Sequence, residues 1–176
     1  MAAKLTITQD NVAKIQSALR ELSRTTVHVG IPEEKTTRKS PDKMNNATLG
    51  YIHEYGSPAN NIPARAWLKP GIEASRTKWE GYLKQAATLA MEGKPESMQK
   101  AFMAAGDTAV QSVKKRTTAG VPPPLAPRTR AARMRKHKNT KPGASPLPAM
   151  FGGLTPLIDS GQMYNSVSFV IRKDGK

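Results

Sequence analysis

Val12, Ile15, Leu19 and Leu22 recur at three- and four-residue intervals, the spacing that lines one face of a helix. This pattern predicts an amphipathic helix over residues 9–23 with Asp10 or Asn11 as its cap. The period then drops to two. TTVHVGI, residues 25–31, alternates and is rich in β-branched residues, so it reads as a strand stopped by Pro32. The following EEKTTRKSPDKM is polar without a period and reads as a loop. Asn45 or Asn46 then caps a short helix in which Leu49, Ile52 and Tyr55 share a face, and Gly56 ends it. Two prolines and paired asparagines exclude regular structure from SPANNIPAR.

Residues 71–92 carry the pattern of a long helix whose buried side holds Ile72, Trp79, Leu83, Ala86 and Leu89 or Ala90, ended by Gly93 and Pro95. A second helix is predicted over 96–117, with Met98, Phe102, Ala105, Ala109 and Val113 facing inward. So short a link as EGKP makes the two an antiparallel hairpin. The pattern then stops. The stretch from Thr117 to Gly153 holds seven of the fourteen prolines, and only LAPRTRAARMRK within it is compatible with a helical turn or two. At the end, PLIDSGQMYNSVSFVIRK predicts a turn, a short helix capped by Asp159 or Ser160, and a strand over 166–172 in which Val167, Phe169 and Ile171 alternate.

Charge changes the picture most. The net charge is +15 at pH 7, and no acidic residue lies between Asp107 and Asp159. That interval holds Lys114, Lys115, Arg116, Arg128, Arg130, Arg133, Arg135, Lys136, Lys138 and Lys141. Like charges this dense resist packing into a core, so the block reads as a partner-binding arm or a solvated segment. The absence of cysteine excludes disulfides, thiolate metal sites and cysteine nucleophiles. There is no apolar run suited to a signal peptide or a membrane span, and 176 residues suit one domain, so a protein made and used in a cytoplasm is expected.

The stretch most like chemistry is YIHEYG, residues 51–56. His53–Glu54 would suit a zinc-binding helix only with a second histidine at position 57, which is serine. Of the remaining acids only Asp159 could act with Glu54 as a carboxylate pair, and nothing in the sequence brings the two together. There is no nucleophile elbow, phosphate-binding loop or dinucleotide fingerprint. No catalytic residue, cofactor or metal is assigned. Instead Glu54 and Arg65 are expected to pair in a bidentate way and pin loop to helix, with Tyr51 and Tyr55 packed beneath and Trp67 and Leu68 as apolar anchors.

LGYIHEYGSPANNIPARAWLKPGIE, residues 49–73, resembles the signature of the tail-completion, or neck, proteins of tailed bacteriophages, a group that includes minor tail components and virion-morphogenesis proteins. Glu54, Tyr55 and Gly56 match the helix-ending part; Ile62, Pro63, Arg65 and Trp67 match the turn that follows. LIDSGQMYNSVSFVI, residues 157–171, is similar to the closing motif through Asp159, Ser160, Gly161, Met163 and Ser166. Ser160 stands where threonine is more usual, Ala66 where proline often stands, and Trp67 in place of phenylalanine. The likeness spans about residues 25–172.

The resemblance implies an α+β domain spanning 1–176, a small mixed sheet packed against long helices, interrupted by a basic proline-rich arm over 118–150. It implies a structural virion protein, assembled in the bacterial cytoplasm into a homo-oligomeric ring of six at the head-proximal end of the tail. Its partners there would be head connector or portal-adaptor proteins and tail tube or terminator proteins. Glu54, Tyr55, Gly56, Pro63, Arg65, Trp67, Asp159, Ser160 and Gly161 would fix the subunit's shape. Arg128, Arg130, Arg133, Arg135, Lys136 and Lys138 would reach a neighbour. Head-closure, adaptor or terminator roles are the nearest alternatives. From another class, the basic arm suits a protein that binds DNA without sequence preference.

Overall fold

A computed structural model describes residues 11–38, 44–138 and 154–173, with side chains given up to 135 in the second range. In chain order the elements are α1 (Val12–Arg24), β1 (Thr25–Gly30), α2 (Asn46–Tyr55), α3 (Leu68–Glu73), α4 (Arg76–Met91), α5 (Pro95–Ala119), α6 (Pro127–Lys138), α7 (Gln162–Ser166) and β2 (Ser168–Lys173). The fold class is α+β. Among the described residues the sheet is a two-stranded antiparallel ribbon, simpler than the mixed sheet expected, with Val27 opposite Ile171 and Val29 opposite Phe169.

The 25 residues of α5 are the spine. Every residue expected to face inward from it, Met98, Phe102, Ala105, Ala109 and Val113, is buried. One end of α5 packs with Ala86 and Ala90 of α4, and with Leu22, Val27 and Ile171. The other end packs with Trp67, Val121, Leu157, Met163 and Val167. Small residues set how closely the neighbours approach. A Cβ on Gly106 would lie 2.4 Å from the Phe169 ring of β2, and one on Gly71 would lie 2.8 Å from the Val113 backbone.

Three expectations are corrected. The helix predicted over 71–92 is two helices, broken at Ala74–Ser75. Ser75 donates its hydroxyl to Ile72 O at 3.2 Å, and Trp79 Nε1 donates to the same carbonyl at 3.1 Å. That carbonyl is held across the break, and α4 sets off along α5 in its own direction. In α1, Asn11 holds the cap position without a side-chain cap bond, Asp10 lies outside the described residues, and Val12, Ile15 and Leu19 are exposed. Of that stripe only Leu22 reaches the core, joined there by Ala18 from beside it.

The third correction concerns the arm. Residues 118–126 are part of the domain: α5 runs through Ala119, and Val121 is buried in the core. The helical turn or two is α6, twelve residues long. The remainder of the arm, 139–150, lies outside the described residues.

Candidate functional site

The motif residues converge where α2 meets the start of α3. Asn45 caps α2 by accepting from Thr48 N at 2.7 Å, and Asn46 ties the helix to the rest of the molecule. The Asn46 amide donates to Ser166 Oγ at 2.8 Å and to the carbonyls of Thr37 and Lys35, while the Ser166 hydroxyl donates in turn to Gln162 O. At its far end α2 stops on Gly56, φ 79, whose Cβ would sit 2.8 Å from Ala64 N. The left-handed conformation and the close backbone both demand glycine there. Pro63 lies exposed in the segment just beyond.

Glu54 is buried and points at the N-terminal turn of α3. Its carboxylate accepts from Trp67 N at 2.7 Å, Leu68 N at 2.8 Å and Lys69 N at 3.1 Å. A helix start leaves such donors without intrahelical partners and favours negative charge, so the carboxylate supplies from α2 the cap that α3 lacks locally. Trp67 completes the joint: its ring is 2% exposed and its Nε1 donates to Gly50 O at 3.1 Å. A Cβ on Gly50 would press on Ile31 and Trp67 at 3.1 and 3.2 Å.

Arg65 does not pair with Glu54. It donates from Nε to Pro123 O at 2.8 Å and from Nη2 to Pro124 O at 3.1 Å, while its backbone N–H bonds His53 O at 2.7 Å. It therefore clamps the proline segment after α5 onto the end of α2. The expected pair fails because each group has a backbone alternative: three open amides for the carboxylate, and for the guanidinium two carbonyls of the irregular segment after α5. Tyr51 and Tyr55 are not packed beneath. They are 66% and 60% exposed and tilt against each other with centroids 4.8 Å apart.

The same carbonyl-clamping recurs at the closing motif. Arg133 was assigned to the partner-binding arm, yet its Nη1 donates inward to Thr155 O at 3.0 Å and Ile158 O at 2.8 Å, with Asp159 3.9 Å from Nε. These carbonyls flank Leu157, a buried residue held at φ 69. A non-glycine residue in that region costs on the order of 1–3 kcal/mol, and the clamp holds it in place. The cap of α7 also differs from expectation. Gly161, φ 77, takes the cap position, Ser160 Oγ accepts from Gln162 N only at 3.5 Å, and Asp159 faces Arg133 instead.

Arg128, Arg130 and Arg135 of α6 are exposed, as the arm reading requires; the side chains of Lys136 and Lys138 lie outside the described residues. On α2, His53 keeps its Nδ1 buried and without a hydrogen-bond partner among the described residues. Burial holds its imidazole below the ordinary value of 6.5, reinforced by Arg65, Arg133 and Arg38. Burial also lowers Arg65 and Arg133, and Arg133 is lowered further by Arg65 and raised by Asp159. Sequence reasoning passed over Arg38 and gave Asn46 only as an alternative cap of α2; its bonds to Lys35, Thr37 and Ser166 reach other segments, which no local spacing signals. No three His, Cys, Asp or Glu side chains cluster among the described residues, and no helix there is long and apolar enough to cross a membrane. No family model, curated protein or solved structure matches the chain.

Proposed function

We propose that this chain is a structural subunit of a tailed-bacteriophage neck: a tail-completion protein forming a ring of six at the head-proximal end of the tail and joining it to the head connector. The resemblance of the two motifs supplies the assembly. The observation that carries the reading is the occupation of Glu54 by three backbone amides, with Arg65 on two backbone carbonyls. The most enzyme-like stretch of the sequence thus serves as a joint between α2, α3 and the end of α5. A ring subunit needs such a fixed outline, because each copy must present the same two faces to its neighbours. Tyr51, Tyr55 and the exposed arginines of α6 point outward for those neighbours.

Electron microscopy of a lysate from a phage lacking this gene tests the reading. Separate filled heads and finished tails are expected, and normal infectious particles would overturn it. Labelled protein located on intact particles then separates tail completion from head-closure, adaptor and terminator positions. The exposed face of α6 favours a second reading, electrostatic binding of DNA. That reading requires affinity for duplex DNA to fall with salt, with a log–log slope of about −0.9 for each phosphate contacted.

A further inference from the structure

Between β1 and α4 the fold leaves an apolar cleft of about 510 Å³. Phe102, Ala105 and Ala109 of α5 form its floor, and Val27 and Val29 of β1 face Trp79 and Leu83 of α4 across it. Packed interiors leave few voids larger than one water, so a cleft of this size is shaped for an occupant. No residue of β2 lines it, which places it on the side of β1 away from β2. Along that side β1 has no strand neighbour among the described residues. An edge strand is normally guarded by a charge, a proline or a bulge. TTVHVG has no lysine, arginine, acid or proline, and it pairs with β2 residue for residue. Its sequence suits an inner strand.

We propose that the cleft is a strand-addition site, and that residues 4–8 of the same chain, KLTIT, fill it as a third strand beside β1. These residues precede α1 and lie outside the described residues, but their sequence carries the matching pattern. Leu5 and Ile7 alternate with Thr6 and Thr8, giving one apolar and one polar face, and Thr6, Ile7 and Thr8 are β-branched. Leu5 and Ile7 point onto Ala105 and Ala109, whose small side chains leave the depth that the larger ones take up. The chain is long enough. The ten residues before Asn11 span about 33 Å when extended, against roughly 20 Å for α1. The far end of α1 meets the cleft, where Leu22 and Thr25 line it. Tethering raises the local concentration of this segment above that of any other copy. The inference goes beyond the neck reading and does not depend on it.

The chain has no cysteine, so thiols can be placed singly. In the full chain, Leu83→Cys is combined with Leu5→Cys, Thr6→Cys or Ile7→Cys and treated with a short thiol crosslinker. The pairs with Leu5→Cys and Ile7→Cys should be bridged within one chain several-fold faster than the pair with Thr6→Cys, whose side chain points away from the cleft. Two further variants keep native Leu83. Ile7→Asp should lower the melting temperature by about 5 °C or more and raise several-fold the fluorescence of a dye that binds apolar surface. Thr6→Asp should do neither. Equal bridging at the three positions is the behaviour of an undocked tail and overturns the proposal. Bridges formed only between chains overturn it in favour of a second copy's segment. Absence of any bridge, or Ile7→Asp and Thr6→Asp variants alike in melting and dye binding, overturns it as well.

Discussion

Glu54 holds three backbone amides at the start of α3, and its removal takes away the acceptor of all three. Glu54→Ala is expected to cost about 2–4 kcal/mol, since charge-assisted bonds to buried donors are each worth about 1.5–3 before relaxation. Glu54→Gln keeps the shape and one good acceptor and should cost less. Thermal unfolding of the two variants checks the order; equal stability to the parent would remove the capping role. His53 adds a pH dependence. Its folded pKa lies below 6.5, the unfolded value, so the unfolded chain binds the proton first as pH falls. Stability from its neutral state is complete above about pH 7.5, declines as pH drops through 6.5, and stops declining below the folded pKa. The melting temperature of the parent should fall over that window more steeply than that of His53→Gln. Coincident slopes would show that the imidazole is not linked to folding.

The helices and strands were legible where one face decides the pattern. All five inward residues of α5 followed from their spacing, and Phe169 and Ile171 of β2 from their alternation, because burial along one face imposes one period. The break at Ser75 was not legible, since the hydrogen bonds that hold it run from Ser75 and Trp79 to one carbonyl and leave the apolar spacing intact. Nor was the partner of Arg65: Pro123 and Pro124 are more than fifty residues away and offer only backbone. Side-chain-to-carbonyl contacts carry no complementary residue type for a reader to search for. The contact of α5 with β2 gives a prediction of its own. Gly106→Ala drives a methyl into the Phe169 ring and should cost about 1–3 kcal/mol. Phe169→Leu in the same chain should recover part of that loss, so a double-mutant cycle should show a coupling of about 0.5 kcal/mol or more. Additive losses would mean that the helix and the strand are not in contact at this point.

With 28 basic and 13 acidic residues, the molecule has too few carboxylates to pair its cations; Arg76 pairs with Glu73 and Glu80, and two other kinds of arginine stand beside it. Arg65, Arg116 and Arg133 turn to backbone carbonyls and hold the chain together: Arg116 Nε reaches Ala66 O at 3.1 Å. Arg128, Arg130 and Arg135 stay in solvent on α6. The two kinds should separate by experiment. Replacing the three exposed arginines with alanine should leave stability within about 0.5 kcal/mol, as for surface positions elsewhere. On the proposed neck reading, with α6 meeting an acidic neighbour, the same variant should join heads to tails less efficiently. The deficit should narrow between about 50 and 150 mM salt, where the screening length shortens towards 8 Å. Arg133→Ala should behave in the opposite way, unfolding at lower temperature because it releases the turn at Leu157, with a loss that salt barely changes. In vitro joining counted by electron microscopy, beside melting curves of both variants, reads the contrast. Intact joining by the triple variant at every salt concentration would detach α6 from assembly and leave it to the DNA-binding reading.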